Sequence, residues 1–166
     1  ARKKKDLSSL RKRIDAVDAR LVDLLNERVR LALEVSDVKR AQGVSFYTPE
    51  REAALLDRVR KLNDDGVIPD DVMEFLFTQI MSVTFHLGAP LTIAYFGPAG
   101  THTHMAAIRK FGEKVDFAPY DDITSVFRAV ESGEASFGVV PVENSTEGMV
   151  SHTLDMFIDS PLKICS

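Results

Sequence analysis

The sequence of 166 residues has a single cysteine, Cys165. A lone thiol excludes an internal disulfide framework and any cysteine-based zinc site, and it fits a reducing compartment, with the cytoplasm the expected location. Positive charge is not in excess either: Lys and Arg number 21 against 25 Asp and Glu, a net charge of −4. A general nucleic-acid binder needs a basic surface to displace counterions from phosphates, so no DNA or RNA partner is expected. No window is long and apolar enough to span a bilayer, so no membrane partner is expected. The basic start Ala1-Arg2-Lys3-Lys4-Lys5 runs into polar helix rather than an apolar stretch, and is expected not to be a signal peptide. Internal repeats and low-complexity runs are lacking too. The remainder, 45% hydrophobic and 28% charged, suits an ordinary globular chain with one moderate core or two small ones.

Charge and glycine divide the chain near Gly88-Ala89-Pro90. Residues 1–88 carry 16 basic and 15 acidic side chains, and residues 89–166 carry 5 and 10. Three glycines lie before the boundary region's end and six after it. This contrast predicts two domains of different type, 1–89 and 90–166.

The first part reads as three helices. Leu7, Leu10, Ile14, Val17, Leu21, Leu24, Leu31, Val35 and Val38 form a heptad seam that wants a partner along its length. At 1.5 Å per residue such a helix is about 50 Å long, more than so small a chain can cover, so the seam predicts a homodimer through this first helix. Gly43 ends it. Thr48-Pro49 opens a second helix, with a hydroxyl N-cap and proline at the first helical position. Asn63-Asp64-Asp65-Gly66 is the turn into a third, which starts at Pro69 and ends at Gly88.

One seam position is a cation, Arg28. A guanidinium there is costly unless it is paired or reaches an anion. Lys39, eleven residues on, returns to within about 20° of the same direction, about 16 Å along the axis. Either Arg28 pairs with a core glutamate and Lys39 is solvated, or the two cations hold a small anion between them. Arg11 points to a neighbouring stripe. Arg51 sits in the first turn of the second helix, against the dipole, which suggests a purpose other than helix stability.

Five segments then make a resemblance. Leu10-Arg11-Lys12-Arg13-Ile14-Asp15, Leu24-Leu25-Asn26-Glu27-Arg28, Glu34-Val35-Ser36-Asp37-Val38-Lys39, Pro49-Glu50-Arg51-Glu52 and Ile80-Met81-Ser82 are similar to the all-helical AroQ-type chorismate mutases over residues 7–88. The resemblance implies an intertwined dimer of three-helix chains. It also implies conversion of chorismate to prephenate, a unimolecular pericyclic rearrangement without nucleophile, metal or cofactor. By the same resemblance Arg28, with Arg11 of the partner chain, clamps the substrate carboxylates. Lys39 donates to the ether oxygen, Glu52 holds the substrate hydroxyl, and Arg51 lines the site. Three positions depart from the family's pattern. Thr48 replaces an aspartate and Thr84 a serine; Gly88 stands where the family places a glutamine or glutamate as second donor to the ether oxygen. His86 is either an ordinary surface or packing histidine or a stand-in for that donor. If Gly88 disables the rearrangement, the helical part is a dimerisation module beside an anion-binding lobe.

The second part alternates short apolar runs, Leu91 to Phe96, Val115 to Ala118 and Phe137 to Val140, with helical stretches at Thr101 to Phe111 and Ile123 to Glu131. That is a mainly parallel α/β layout. A further helix is expected from about Met149 to Ile158. Leu162-Lys163-Ile164 then reads as a strand starting, and because an α/β domain rarely ends inside a strand the sequence is expected to be a fragment of a longer one. Phe96-Gly97-Pro98-Ala99-Gly100-Thr101 is either a plain turn or an anion-binding strand-to-helix loop. Val139 to Gly148 places polar groups just after a buried strand, where open α/β sheets bind ligands, though Ser145 or Thr146 also reads as a helix cap. Together the two stretches resemble the first lobe of prephenate dehydratases, a fold similar to periplasmic binding proteins. Mutase followed by dehydratase is the order of the bifunctional enzymes of phenylalanine synthesis. The resemblance implies that Thr101, Glu143, Asn144, Ser145 and Thr146 help to bind prephenate, and that the dehydratase is incomplete here. His102, His104 and His152 lack metal-ligand spacing and read as loop and helix-start residues.

Overall fold

The computed structural model describes residues 6–44, 47–144 and 148–165. The chain forms two compact units, Ala1–Val44 and Ser45–Ser166.

The first unit is one helix, α1 (Leu7–Ala41). Lys39 and Arg40 lie in its last turn, where cations complement the helix dipole. Gly43, at φ +67°, follows its end in the left-handed conformation that glycine adopts without strain. The heptad seam is laid out as the spacing predicts, and Leu7, Ile14, Val17, Leu21, Leu24, Leu31, Val35 and Val38 are each 51% to 60% exposed. Between residues 25 and 39 a stripe is covered: Leu25, Arg28, Val29, Ala32 and Lys39 are partly buried and Ser36 fully. Arg28 therefore does not share the surroundings of Leu7, Ile14 and Leu21, as the heptad reading expects. At about 100° per residue Leu7, Ile14 and Leu21 point the same way as Leu25, Ala32 and Lys39, so the difference lies along the axis: the covered stretch runs from residue 25 to residue 39 and leaves those three outside it.

The second unit begins with a helical hairpin, α2 (Pro49–Leu62) and α3 (Asp70–Gly88). Thr48 stands at the N-cap with extended backbone, but its hydroxyl makes no capping bond, contrary to expectation. Proline at the first helical position, with φ preset and no N–H to satisfy, marks the start instead. Asn63 closes the turn, donating from Nδ2 to the Ile68 carbonyl at 2.8 Å and to Asp70 Oδ1 at 2.7 Å. Arg60 and Glu74 pair across the hairpin.

The α/β part follows: β1 (Thr92–Phe96), α4 (His102–Phe111), β2 (Asp116–Tyr120), α5 (Ile123–Glu131) and β3 (Phe137–Val139). The sheet is parallel, in the order β2-β1-β3. Central β1 buries Ile93, Ala94 and Tyr95, the continuous apolar run that a strand covered on both faces requires. Pro119 pairs with Tyr95 in register and is tolerated because β2 is an edge strand, with one side free of ladder bonds. A short antiparallel hairpin, β4 (Glu143–Asn144) and β5 (Gly148–Met149), precedes α6 (Ser151–Asp159).

Two expectations at this end need correcting. The last helix starts at Ser151 rather than near Met149, with Val150 at its N-cap, and the hairpin occupies the residues before it. Leu162-Lys163-Ile164 is irregular and not a strand.

Two clusters of buried residues lie in the second unit: Ala94, Val126, Ala129 and Ala135 form the smaller, and the larger joins the helical hairpin to the sheet. Tyr47, Met81 and Phe85 are buried together with Leu91, Ile93, Ala107, Phe111 and Val115. The Tyr47 ring meets Phe85 and Phe137 edge-on, at 5.3 and 4.9 Å between centroids, a geometry that adds to area burial. The end of α4 locks against α3. Ser82 Oγ accepts from the Lys114 amide at 2.6 Å, and Gln79 Oε1 from the Glu113 amide at 3.1 Å. Gly112 makes this possible: at φ +77° and ψ −178° it takes a conformation open almost only to glycine. A Cβ there would lie 2.5 Å from that of Ser82. Gly112→Ala is expected to lower stability by about 3 kcal/mol and the melting temperature by about 10 °C, measured by thermal denaturation.

Candidate functional site

Three groups of side chains carry the chemistry that the sequence predicts. The first is on α1. Arg28 and Lys39 lie on its covered stripe, and Arg11, nearer the other end, is exposed. Burial lowers the Arg28 guanidinium from its ordinary proton affinity, yet an arginine remains charged at neutral pH. A cation half withdrawn from water interacts more strongly with an anion than a solvated one, because the effective dielectric constant around it falls.

The second group surrounds Glu52, which is 6% exposed, one residue after the exposed Arg51 in the first turn of α2. A buried carboxylate is tolerated only with partners. Glu52 has two, and both meet Oε2: the Tyr47 hydroxyl donates at 2.5 Å, and Lys110 Nζ, from α4, forms an ion pair at 2.9 Å. Burial, then the hydrogen bond to Glu52, then the charge of that carboxylate push the Tyr47 phenol far above its usual range. Tyr47 therefore stays protonated and remains a donor. Thr84 and Gly88 lie four residues apart, and so on one face, in the last turns of α3. The Thr84 hydroxyl donates to the Ile80 carbonyl of its own helix at 2.9 Å.

Tyr47 and Lys110 were not legible as members of this group. Tyr47 adjoins Thr48-Pro49 but belongs to no motif, and Lys110 is brought from a distant helix by packing. Its neighbour Phe111 is in the core, which fixes the end of α4 from which the ammonium reaches Glu52. Lys110 also lines a cavity of about 670 Å³, whose walls are mostly apolar and include Phe111, Val126, Phe137, Val139 and Phe157. None of the catalytic or substrate-binding residues predicted from the sequence lines it.

The third group lies at the carboxyl edge of the sheet. β1 and β3 are parallel neighbours, with Tyr95 opposite Val139, so the segments leaving them emerge at the same edge. Thr101 follows β1 and Glu143-Asn144 follow β3. Because the chain leaves β1 for β2 on one side and returns to β3 on the other, this edge is the topological switch point, where open α/β sheets bind ligands. Thr101 caps α4, its Oγ1 accepting from the His104 amide at 3.3 Å. The His104 ring stacks on Tyr95 at 4.6 Å, and its Nδ1 accepts from the Gly100 amide at 3.0 Å. Glu143 and Asn144 are exposed on β4. Ser145 and Thr146 lie outside the described residues. His152, one residue into α6, meets the Thr124 hydroxyl at 2.9 Å. Among the described residues no group of three or more metal-ligating side chains is gathered in one place, and no helix is long and apolar enough to cross a membrane.

Comparison with known proteins gives two family matches. Residues 10–88 match the family model "Chorismate mutase type II" and residues 93–166 match "Prephenate dehydratase". A bifunctional chorismate mutase/prephenate dehydratase of Stutzerimonas stutzeri is 47% identical over 96% of this chain and 45% of its own length. Its counterpart in Aquifex aeolicus is 39% identical over the same shares. A solved prephenate dehydratase from Streptococcus mutans, 44% identical, aligns with 41% of this chain and 35% of that one, at a TM-score of 0.39. The chain thus spans a little under half the length of the curated relatives it matches. The two matches follow one another along nearly the whole sequence: the chain carries a type II chorismate mutase domain followed by part of a prephenate dehydratase domain, in the order of the bifunctional relatives.

Proposed function

We propose that the chain converts chorismate to prephenate, with residues 1–89 as the mutase domain and residues 90–166 as one lobe of a prephenate-binding site. The observation that carries the reading is the half-buried Arg28 on α1, within a segment that matches the type II mutases throughout. Chorismate has two carboxylates and must fold into a compact conformer, in which an ether bond breaks as a carbon–carbon bond forms. Nothing in this step calls for a nucleophile or a cofactor. Holding the conformer is an orientation effect, and donors aimed at the ether oxygen stabilise the charge that develops there. In this reading Arg28 and the Arg11 of a second copy grip the carboxylates through charge-assisted bonds. Lys39 donates to the ether oxygen, Glu52 accepts from the substrate hydroxyl, Arg51 lines the site, and Thr48, Thr84 and Gly88 are substrate-binding positions.

Dimerisation belongs to the same proposal. Eight seam side chains of α1 are more than half exposed, and a seam with a heptad repeat is covered best by another helix of the same pattern. The cytoplasm is the proposed setting, on the strength of the lone thiol. For the dehydratase lobe, Thr101, Glu143, Asn144, Ser145 and Thr146 at the switch point are proposed to bind the carboxylate and hydroxyl of prephenate. Half of a two-lobed site does not close over its substrate, so dehydration by this chain alone is not expected.

The test is chorismate consumption by the purified 166-residue chain, with its mass in solution measured alongside. Prephenate is expected to accumulate and to become phenylpyruvate only after mild acid, from a protein that sediments as a dimer. A folded dimer that consumes no chorismate would instead favour a helical dimerisation module whose activity Gly88 has removed.

A further inference from the structure

We propose that Lys110, on α4 of the dehydratase segment, is a positioning residue for the mutase reaction, acting through Glu52; the inference rests on the mutase reading above. Glu52 and Lys110 belong to segments with separate family matches, yet Nζ and Oε2 are 2.9 Å apart. The contact is not a surface pair of the kind that contributes little. Glu52 is almost wholly withdrawn from water, while Lys110 keeps about a third of its side chain exposed.

The distribution of the bonds matters as much as their number. The Tyr47 hydroxyl and the Lys110 ammonium both meet Oε2. Oε1 has no hydrogen bond from a described residue. No fully buried side-chain oxygen or nitrogen among the described residues lacks a partner, so Oε1 keeps contact with solvent. The carboxylate is therefore held at one oxygen by a hydroxyl and an ammonium from two separate parts of the chain, with the other oxygen ready to accept. That is the arrangement needed to receive a substrate hydroxyl, since an ionised carboxylate offers lone pairs at both oxygens and donates none. The two donors also have different roots. Tyr47 is wedged among Phe85, Phe111 and Phe137, and Lys110 stands beside the buried Phe111 on a helix whose end is fixed to α3 through Ser82. Both anchors are rigid, so the direction of Glu52 is set by the core shared between the two segments.

Chorismate turnover by the full chain tests this in three forms: wild type, Lys110→Met, which keeps the apolar stem without the charge, and Lys110→Arg, which keeps the charge. A hydroxyl contact present in both ground state and transition state acts mainly on binding. Lys110→Met is expected to raise KM about tenfold with kcat within about twofold of wild type, as for the loss of one hydrogen bond to a charged group. Lys110→Arg is expected to recover most of that loss, and all three should show the same helical circular dichroism. An active wild type with Lys110→Met unchanged in KM overturns this inference alone. Loss of helical signal in both variants overturns it in favour of a purely structural ion pair. A folded wild type without turnover overturns both this inference and the mutase reading.

Discussion

Replacing Arg28 with alanine is expected to lower chorismate turnover by about 10³-fold while α1 stays helical. The size follows from the chemistry. In a rearrangement with no nucleophile and no proton transfer, catalysis consists of orientation and electrostatic stabilisation, and one well-placed donor contributes about 10²- to 10³-fold. Arg28 is partly withdrawn from solvent, which places it in the upper part of that range, because its charge is weakly screened. Alanine is the best helix former, so the substitution does not weaken α1 by propensity. Lys39→Ala, on the same stripe, is expected to act similarly. Turnover, circular dichroism and sedimentation of both variants decide the matter. Loss of turnover with helicity and dimer intact assigns the cations to the substrate, whereas unfolding of both variants assigns them to the structure.

Gly88→Gln is expected to act in the opposite direction, raising turnover by about 10²-fold. Gly88 is the last residue of α3, four residues after Thr84, and in the proposed reading this is the position of a second donor to the ether oxygen. Glycine has no donor to offer there. A glutamine is also a better helix former by several tenths of a kcal/mol, so the substitution is not expected to loosen the last turn of α3. The measurement is kcat for the variant and the wild type under saturating chorismate. A raised rate ties the end of α3 to the reacting ether, and a rate that appears only in the variant identifies Gly88 as the reason for silence in the wild type. No change in either would mean that the last turn of α3 is not part of the site.

Much of the fold was legible because its signals are local. The helical period of the seam in α1, the Thr48-Pro49 start of α2, the Asn63 to Gly66 turn, and the alternation of apolar runs with amphipathic stretches after residue 90 all act over a few residues, where periodicity and turn chemistry operate. The family resemblance was legible for a related reason: cations and acids at fixed helical spacing form a pattern along the chain. The shortest elements escaped. A two-residue strand such as Glu143–Asn144 has no period to detect, and the start of α6 at Ser151 carries no capping side chain. Arg28 shows the limit in another way. Its heptad position groups it with Leu7, Ile14 and Leu21, yet it is partly buried and they are exposed, because periodicity gives the direction of a side chain and not which length of a helix is covered.

By itself, then, the sequence determined the order of the longer elements, the parallel sheet and the placing of Arg28, Lys39, Glu52 and Gly88 on their helices, because each depends on neighbours within a few turns. Only the tertiary structure decided what Glu52 touches. Tyr47 precedes it by five residues and Lys110 follows at fifty-eight, and no periodicity links the three. They meet because Tyr47, Phe85 and Phe111 are buried in one core, and because Gly112 lets the end of α4 approach Ser82 closely. Burial then requires that the carboxylate find a cation and a hydroxyl, and the nearest of each came from parts of the chain that no motif connects.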